Sequence, residues 1–449
     1  MKVVGLITEY NPFHNGHKYH IEEAKRITGA DYTIAVMSGN FVQRGTPAVI
    51  DKYSRAEMAL KNGVDLVLEL PVCYATASAE YFAHGAVALL DKLGIVDYLC
   101  FGSECGDIGL LMETAKLLID TPEGFDEQLL TSLKEGLTYP AARTKAIEQI
   151  WNQKQLNQQD NAADADTTIY NKSEISKVLS EPNNILGIEY LKALIKLSSS
   201  IVPVTIERKS AHYHAKLLAD QEQSYAMSLS ESTVTDHPVI SSATAIRGAL
   251  LDHHPAGLAL SENSVPKDVF EILSSCFNKT FPITEEDFAG ILKYKLLFEN
   301  NRTLTSYSDI TNGLADRIKN LSDYNVSLAQ LAQNIKTRNM TLTRINRAFI
   351  HILLNIQKST FDEYNQKGYA FYARVLGIKK ESSHLLRKIT KADKIPVITK
   401  VSKADKQLDA LGLRMLSGDL FAAHIYNQAV YEKYKTTLLN EYKHGICMI

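Results

Sequence analysis

The stretch Val3-Val4-Gly5-Leu6-Ile7-Thr8-Glu9-Tyr10-Asn11-Pro12-Phe13-His14-Asn15-Gly16-His17 runs from a β-branched segment through a turn into a helix start. Val3 to Ile7 is a short apolar run of the kind buried in a parallel sheet, and Asn11-Pro12 supplies the turn. Apolar residues spaced three and four apart then carry a helix through Ile27. The unit is strand, turn, helix. In an open parallel sheet, ligands collect where strands end, and a helix N-terminus placed there attracts phosphate.

Outward from that unit the pattern repeats. Tyr32 to Met37, Asp65 to Leu70 and Val96 to Phe101 are further apolar runs, with helical stretches at Tyr53–Lys61 and Ala75–Leu93 between them. Such alternation predicts βαβ units and a Rossmann-like α/β sheet of parallel strands. Val202-Pro203-Val204-Thr205-Ile206 reads as a fifth strand, with Pro203 near its start or at a sheet edge. Residues 151–180 form a low-complexity, Asn/Gln/Asp-rich insert with little to bury, which predicts a mobile or weakly ordered excursion. From Pro266 onward the periodicity is mostly helical, at Ile283–Phe298, Ser327–Ile335, Leu342–Ile356 and Ala370–Leu376. The expected organisation is an α/β domain over 1–255 and a mainly α-helical domain over 256–449.

The length of 449 residues suits two or three domains. No apolar stretch reaches 18 residues, so no membrane span is expected. The first residues lack the apolar core and cleavage site of a signal peptide, and five scattered cysteines make neither a disulfide scaffold nor a CxxC metal site. The expected compartment is a reducing, cytoplasmic one. Residues 1–250 hold 22 Lys+Arg against 31 Asp+Glu, whereas 251–449 hold 27 against 20. Within Lys336–Lys406 the ratio is 16 to 5. Two readings stand for this basic half: a surface that meets a polyanion, or helix faces solvated by Lys and Arg.

His14 and His17 lie three apart on one helical face, with Gly16 between them letting backbone approach a ligand. The pair can donate hydrogen bonds to phosphate oxygens as charge develops during displacement at an α-phosphate. Read alone, HxxH also suits a metal or two unremarkable histidines; its place at the first strand end favours phosphate. Ser241-Ser242-Ala243-Thr244-Ala245-Ile246-Arg247 opens a second helix, running to Leu251. Its hydroxyls are either simple caps or, with Arg247 one turn in, partners for β- and γ-phosphates.

Together these segments resemble a known superfamily. His14-Asn15-Gly16-His17 is similar to the HxGH signature of the HIGH-motif nucleotidyltransferases, and Ser242–Arg247 to their SxTxxR-type partner, Ala243 departing from the usual Ser-Ser-Thr spelling. Gly5–His17, Val36–Gly45, Phe101-Gly102-Ser103-Glu104 and Pro182–Gly187 further resemble the bacterial tRNA(Met) cytidine acetate ligase family, over essentially the whole chain outside 151–180. The resemblance implies a two-step ligation. ATP and acetate give acetyl-adenylate, and the acetyl group passes to N4 of the wobble cytidine in elongator tRNA(Met), forming N4-acetylcytidine. It implies an ATP site of Ile7, Thr8, Glu9, Tyr10, Asn11, Pro12, Phe13, His14, Asn15, Gly16, His17, Lys18, Tyr19 and His20. Gly102, Asn183, Arg208 and Lys209 join it, as do Ser242, Thr244 and Arg247. The resemblance further implies that His14 and His17 are the catalytic pair and that Arg247 holds the pyrophosphate side.

Asn183 has two readings, a helix N-cap or a ligand contact. Arg44, Lys52 and Arg55 follow the second strand and are expected to line the cleft as phosphate or RNA contacts, with a solvated-helix role competing for Arg55. Magnesium is expected only as a companion of ATP, since no protein cage for a metal is visible. Oligomeric state is not legible. Two rivals remain: an adenylyltransferase making a small nucleotide cofactor, and a catalytically silent RNA-binding protein on the same fold.

Overall fold

The computed structural model describes residues 1–119, 124–135, 142, 144–147, 172–208, 242–251, 255–321 and 324–449. Lys209, Ser241 and residues 151–171 of the insert lie outside them. Residues 172–180, the end of that insert, form a helix (Lys172–Ser180) that buries Ile175, Val178 and Leu179.

The sheet follows from the apolar runs. Strands β1 (Val3–Thr8), β2 (Tyr32–Ser38), β5 (Leu66–Leu70), β6 (Tyr98–Ser103) and β7 (Val202–Glu207) are all parallel, in the order β5-β2-β1-β6-β7. A small hairpin, β3 (Phe41–Val42) and β4 (Thr46–Pro47), stands apart. β1, β2 and β5 are almost wholly buried, as strands covered on both faces must be. Pro203 lies on the edge strand β7, where a missing N–H costs nothing. Successive strands build outward on opposite sides of β1, so the order reverses between β1 and β6. The crevice at their carboxyl ends is the topological switch point.

Helix α1 (Asn15–Thr28) leaves β1 and ends at Gly29, whose φ of 62° is the left-handed cap conformation. Helix α2 (Lys52–Lys61) is capped by the Asp51 carboxylate on the amides of Tyr53 and Ser54. The expected Ala75–Leu93 helix is two, α3 (Val72–Ala75) and α4 (Ala79–Lys92). Helices at Leu328–Ile335 and Leu342–Leu353 match their expected positions closely, and Ile283–Phe298 starts as a 3-10 turn at Glu285–Phe288 before the helix Ala289–Phe298.

Ala370–Leu376 is a correction. The periodicity predicts a helix, but Ala373–Ile378 forms strand β8, antiparallel to β5 and buried along its whole length. A short apolar run, broken here only by Arg374, is too brief for its period to separate strand from helix. β9 (Val397–Ile398) and β10 (Cys447–Met448) add to β8, so the C-terminal half completes the sheet as well as contributing helices.

A buried ion network fastens that junction. Lys52 Nζ lies 2.8 Å from Glu69 and 3.1 Å from Glu441, while Arg374 pairs with Glu69 at 3.1 Å and also with Glu441. Two cations and two carboxylates balance. The Lys52 and Glu69 side chains are 1% and 5% exposed, so an uncompensated charge here would be costly.

Candidate nucleotide site

The site is assembled at the carboxyl ends of β1, β6 and β7. After β1 the chain turns through Tyr10, whose φ is 48°, and a cis Asn11–Pro12 peptide. His14 is the N-cap of α1, its carbonyl receiving the amides of His17 (2.9 Å) and Lys18 (3.2 Å). The His14 and His17 rings stack with centroids 3.7 Å apart, as the i, i+3 spacing requires. Below them, Tyr10 and Phe13 are buried and press against the His17 ring with centroids 4.9 and 5.5 Å away. Those two residues, with buried Pro12, support the histidine pair from beneath. Lys18 is exposed, and Ile7, Thr8, Glu9, Asn15, Gly16, Tyr19 and His20 are partly buried around the loop and helix start.

The protonation state follows from the surroundings. The backbone N–H of His14 donates to His17 Nδ1 at 3.2 Å, which leaves Nε2 as the protonated, donating nitrogen of a neutral His17. Burial, with the positive charges of Arg208 and Arg247, pulls His14 down to about 3. Burial also lowers His17, helped by His14, His20 and Arg208, and burial with Arg208 takes His20 to about 4. Near neutrality these are uncharged hydrogen-bond donors, and the fixed positive charge comes from arginines.

The second motif is brought to the first across 236 positions. Arg247 Nη1 donates to the Asn11 carbonyl oxygen at 2.7 Å, and its Nη2 to Thr244 Oγ1 at 3.1 Å. Ser242 Oγ accepts from the Ala245 amide at 3.2 Å and so serves the helix Ala243–Leu251 as a cap. Asn11 Oδ1 in turn accepts the Val49 amide at 2.8 Å, and Glu9 accepts the Gln43 amide at 2.9 Å, which holds the β3–β4 hairpin over the loop. Arg44, on that hairpin, is exposed, and its charge acts on Arg247.

On the β6–β7 side, Arg208 is exposed. Its Nη1 donates to Asn183 Oδ1 at 3.0 Å, and its stem crosses Gly102, where a Cβ would lie 3.1 Å from Arg208 Cγ. Asn183 sits in the first turn of the helix Pro182–Lys196, and the N-cap position belongs to Glu181. The Glu104 carboxylate receives the helix amides of Asn183 and Asn184 at 3.3 and 2.8 Å. Glu104 carries no role in the sequence pattern; the signal that marks it is an acidic residue just past a strand end, facing a helix start.

Lys52 and Arg55 are corrections. Arg55 is fully buried, and its guanidinium donates to the carbonyls of Ile50 (3.0 Å), Glu9 (2.7 Å), Ser38 (3.0 Å) and Gly39. It braces the loops after β1 and β2 and has no exposed face for phosphate or RNA. Lys52 is consumed in the ion network with Glu69 and Glu441. Both were expected on the cleft because a charged side chain normally seeks water; distant acceptors overrule that here. No group of three or more metal-ligating side chains occurs among the described residues.

Stacked neutral histidines at a helix N-terminus, flanked by three arginines at a switch point, have the donors and fixed charge that suit phosphate, the pattern of the nucleotidyl-transfer class. Known proteins agree. The HIGH Nucleotidyl Transferase family model matches residues 1–441. A tRNA(Met) cytidine acetate ligase of Thermoanaerobacter sp. (strain X514) is 41% identical over 430 residues, 96% of each chain. One from Halothermothrix orenii is 39% identical over 436 residues, 95% of this chain and 94% of that one. The crystal structure of Thermotoga maritima TmcAL bound with alpha-thio ATP superposes with a TM-score of 0.84 at 32% identity, covering both chains fully. The apo form of the same protein gives 0.85. The chain belongs to the tRNA(Met) cytidine acetate ligase family of the HIGH nucleotidyl transferases.

Proposed function

We propose that this chain activates acetate with ATP and transfers the acetyl group to N4 of the wobble cytidine of elongator tRNA(Met). The observation that carries the reading is the docking of Arg247 on the Asn11 carbonyl, which makes one site of two motifs. The acetate carboxylate attacks the α-phosphorus, and the bond to the β-phosphate oxygen breaks, releasing pyrophosphate. The neutral imidazoles of His14 and His17 donate to the α-phosphate oxygens as charge grows there, while Arg247, with Arg44, receives the pyrophosphate. Magnesium bound to the ATP phosphates, with no protein cage of its own, would supply charge shielding there. The cytidine N4 then attacks the acetyl carbonyl carbon, AMP leaves and the N4 proton passes to solvent. The amine is a weak nucleophile, so alignment in a closed site supplies most of the rate.

The base has to leave its anticodon stack to reach this crevice. Residues 256–449 are then the tRNA-holding part. Arg387, Lys388 and Lys391 on the helix His384–Ala392, with Lys380, Lys394, Lys400, Lys403 and Lys406 around it, are exposed cations. That concentration supports phosphate-backbone binding. No described helix is long and apolar enough to cross a membrane. The test is nucleoside mass spectrometry of tRNA after reaction with ATP and acetate, beside acetate-dependent exchange of pyrophosphate into ATP. Formation of N4-acetylcytidine supports the reading, and exchange that ignores acetate overturns it.

A further inference from the structure

We propose that Glu104 is a positioning residue for ATP binding, acting through Asn183 to set the reach of Arg208. The inference rests on the reading of Arg208 as an ATP contact. Glu104 Oε1 accepts from the Asn183 side-chain amide at 2.5 Å, and its other oxygen accepts the Asn184 amide at 2.8 Å. An amide that donates to Glu104 can turn only its Oδ1 the other way, and that oxygen receives Arg208 Nη1 at 3.0 Å. The chain of bonds is carboxylate to amide to guanidinium, each member fixing the next.

Four further contacts make the relay rigid. Asn184 Oδ1 returns the grip by accepting the amides of Glu104 (2.8 Å) and Cys105 (3.2 Å), locking the loop after β6 to the helix start. The Arg208 amide donates to the Ser103 carbonyl at 2.8 Å, so the backbone from which the arm springs is held by the same strand end. The arm then lies across Gly102, which has no side chain to lift it. Pinned at its base, along its stem and at Nη1, Arg208 has remaining guanidinium donors that meet no other partner among the described residues, beside the crevice that holds His14, His17 and His20, all three of which feel its charge. An exposed arginine without the relay would spread over many rotamers, and ordering it would be charged against ATP binding.

Steady-state pyrophosphate exchange on the full chain tests this, with ATP and acetate varied separately. Arg208→Ala removes a charge-assisted contact and is expected to raise the KM for ATP by about tenfold or more. Glu104→Gln is expected to raise the KM for ATP severalfold, leave the KM for acetate unchanged, and add nothing in the Arg208→Ala background. A merely structural role would lower the melting temperature and disturb both substrates alike. Should Glu104→Gln fold poorly, Asn183→Ala serves instead: it cuts the bridge but leaves Glu104 on the backbone amides of residues 183 and 184. Because Asn183 is itself counted in the ATP site, its effect supports the relay only if it vanishes in the Arg208→Ala background. An ATP effect of Arg208→Ala without one from either relay variant, or effects that simply add, overturns the proposal. If Arg208→Ala leaves the KM for ATP untouched, the ATP reading of Arg208 fails, and the relay falls with it.

Discussion

Replacing Glu441 by Gln separates a working ion network from four charges that merely happen to be buried together. Glu441 is 2% exposed and accepts from Lys52 at 3.1 Å, from the Tyr53 hydroxyl at 3.0 Å and from Arg374. Burial raises its carboxyl, but Lys52 and Arg374 outweigh burial and hold it down at about 2. Against an ordinary glutamate, that depression corresponds to about 3 kcal/mol of folding stability. The contribution is fully present above the unfolded pKa, near 4.3, and is lost as pH falls through the folded value of about 2. The substitution leaves two cations on the single carboxylate of Glu69, and breaking a buried pair this way typically costs about 3–5 kcal/mol. For a 449-residue chain unfolding as one unit, the lower figure lowers the melting temperature by roughly 3–4 °C. Differential scanning calorimetry at pH 7 measures it. Adding Lys52→Met restores one cation to one anion, so the double variant should recover part of the loss. A double variant that loses the sum of the two single effects would refute the network.

The kcat/KM for ATP should show no acid limb between pH 6 and 7, because His14 and His20 are held at about 3 and 4 and His17 is lowered with them. Their neutral forms already prevail there, and activity should fall only below about pH 5. An acid limb at about pH 6.5 in the free enzyme's profile would show imidazoles titrating at their ordinary value, and a loss of activity above that pH would show cationic histidines at work. Gly45→Ala should cost about 1–3 kcal/mol and weaken exchange, since Gly45 has φ of 75° and a Cβ there would overlap the Arg347 backbone in the helix Leu342–Leu353. Thermal unfolding beside exchange rates measures both. Arg247→Ala should lower exchange by about tenfold to a hundredfold through loss of its phosphate contacts, checked by exchange at saturating acetate. Binding of tRNA should weaken steeply as salt rises, and charge-reversing Arg387, Lys388 and Lys391 should flatten that slope. Filter binding at several salt concentrations would show it.

Much of the parallel sheet was legible because its cause is local. Each of the runs Val3–Ile7, Tyr32–Met37, Asp65–Leu70 and Val202–Ile206 carries its own apolar pattern, and the helix that follows declares its own period. The histidine pair was legible for the same reason: strand, turn and helix start are contiguous, so the fifteen residues Val3–His17 contain the geometry. Lys52 and Arg55 were misread because nothing near them signals burial. Their partners, Glu69, Glu441 and the carbonyls of residues 9, 38 and 39, come from other segments. Glu104 was visible but silent, since its meaning is a bond to a helix nearly eighty positions away.

The sequence by itself determined the alternation of strands and helices, the switch-point position of His14 and His17, and the basic excess of the second half. Those properties depend on the order and spacing of side chains within a few turns or strands. Only the tertiary structure decided that Arg247 rests on Asn11, that Arg208 is aimed through Asn183 and Glu104, and that β8 returns to pair with β5. These are contacts between segments up to several hundred residues apart. Their energies come from mutual desolvation and paired charge, which exist only once the chain has closed.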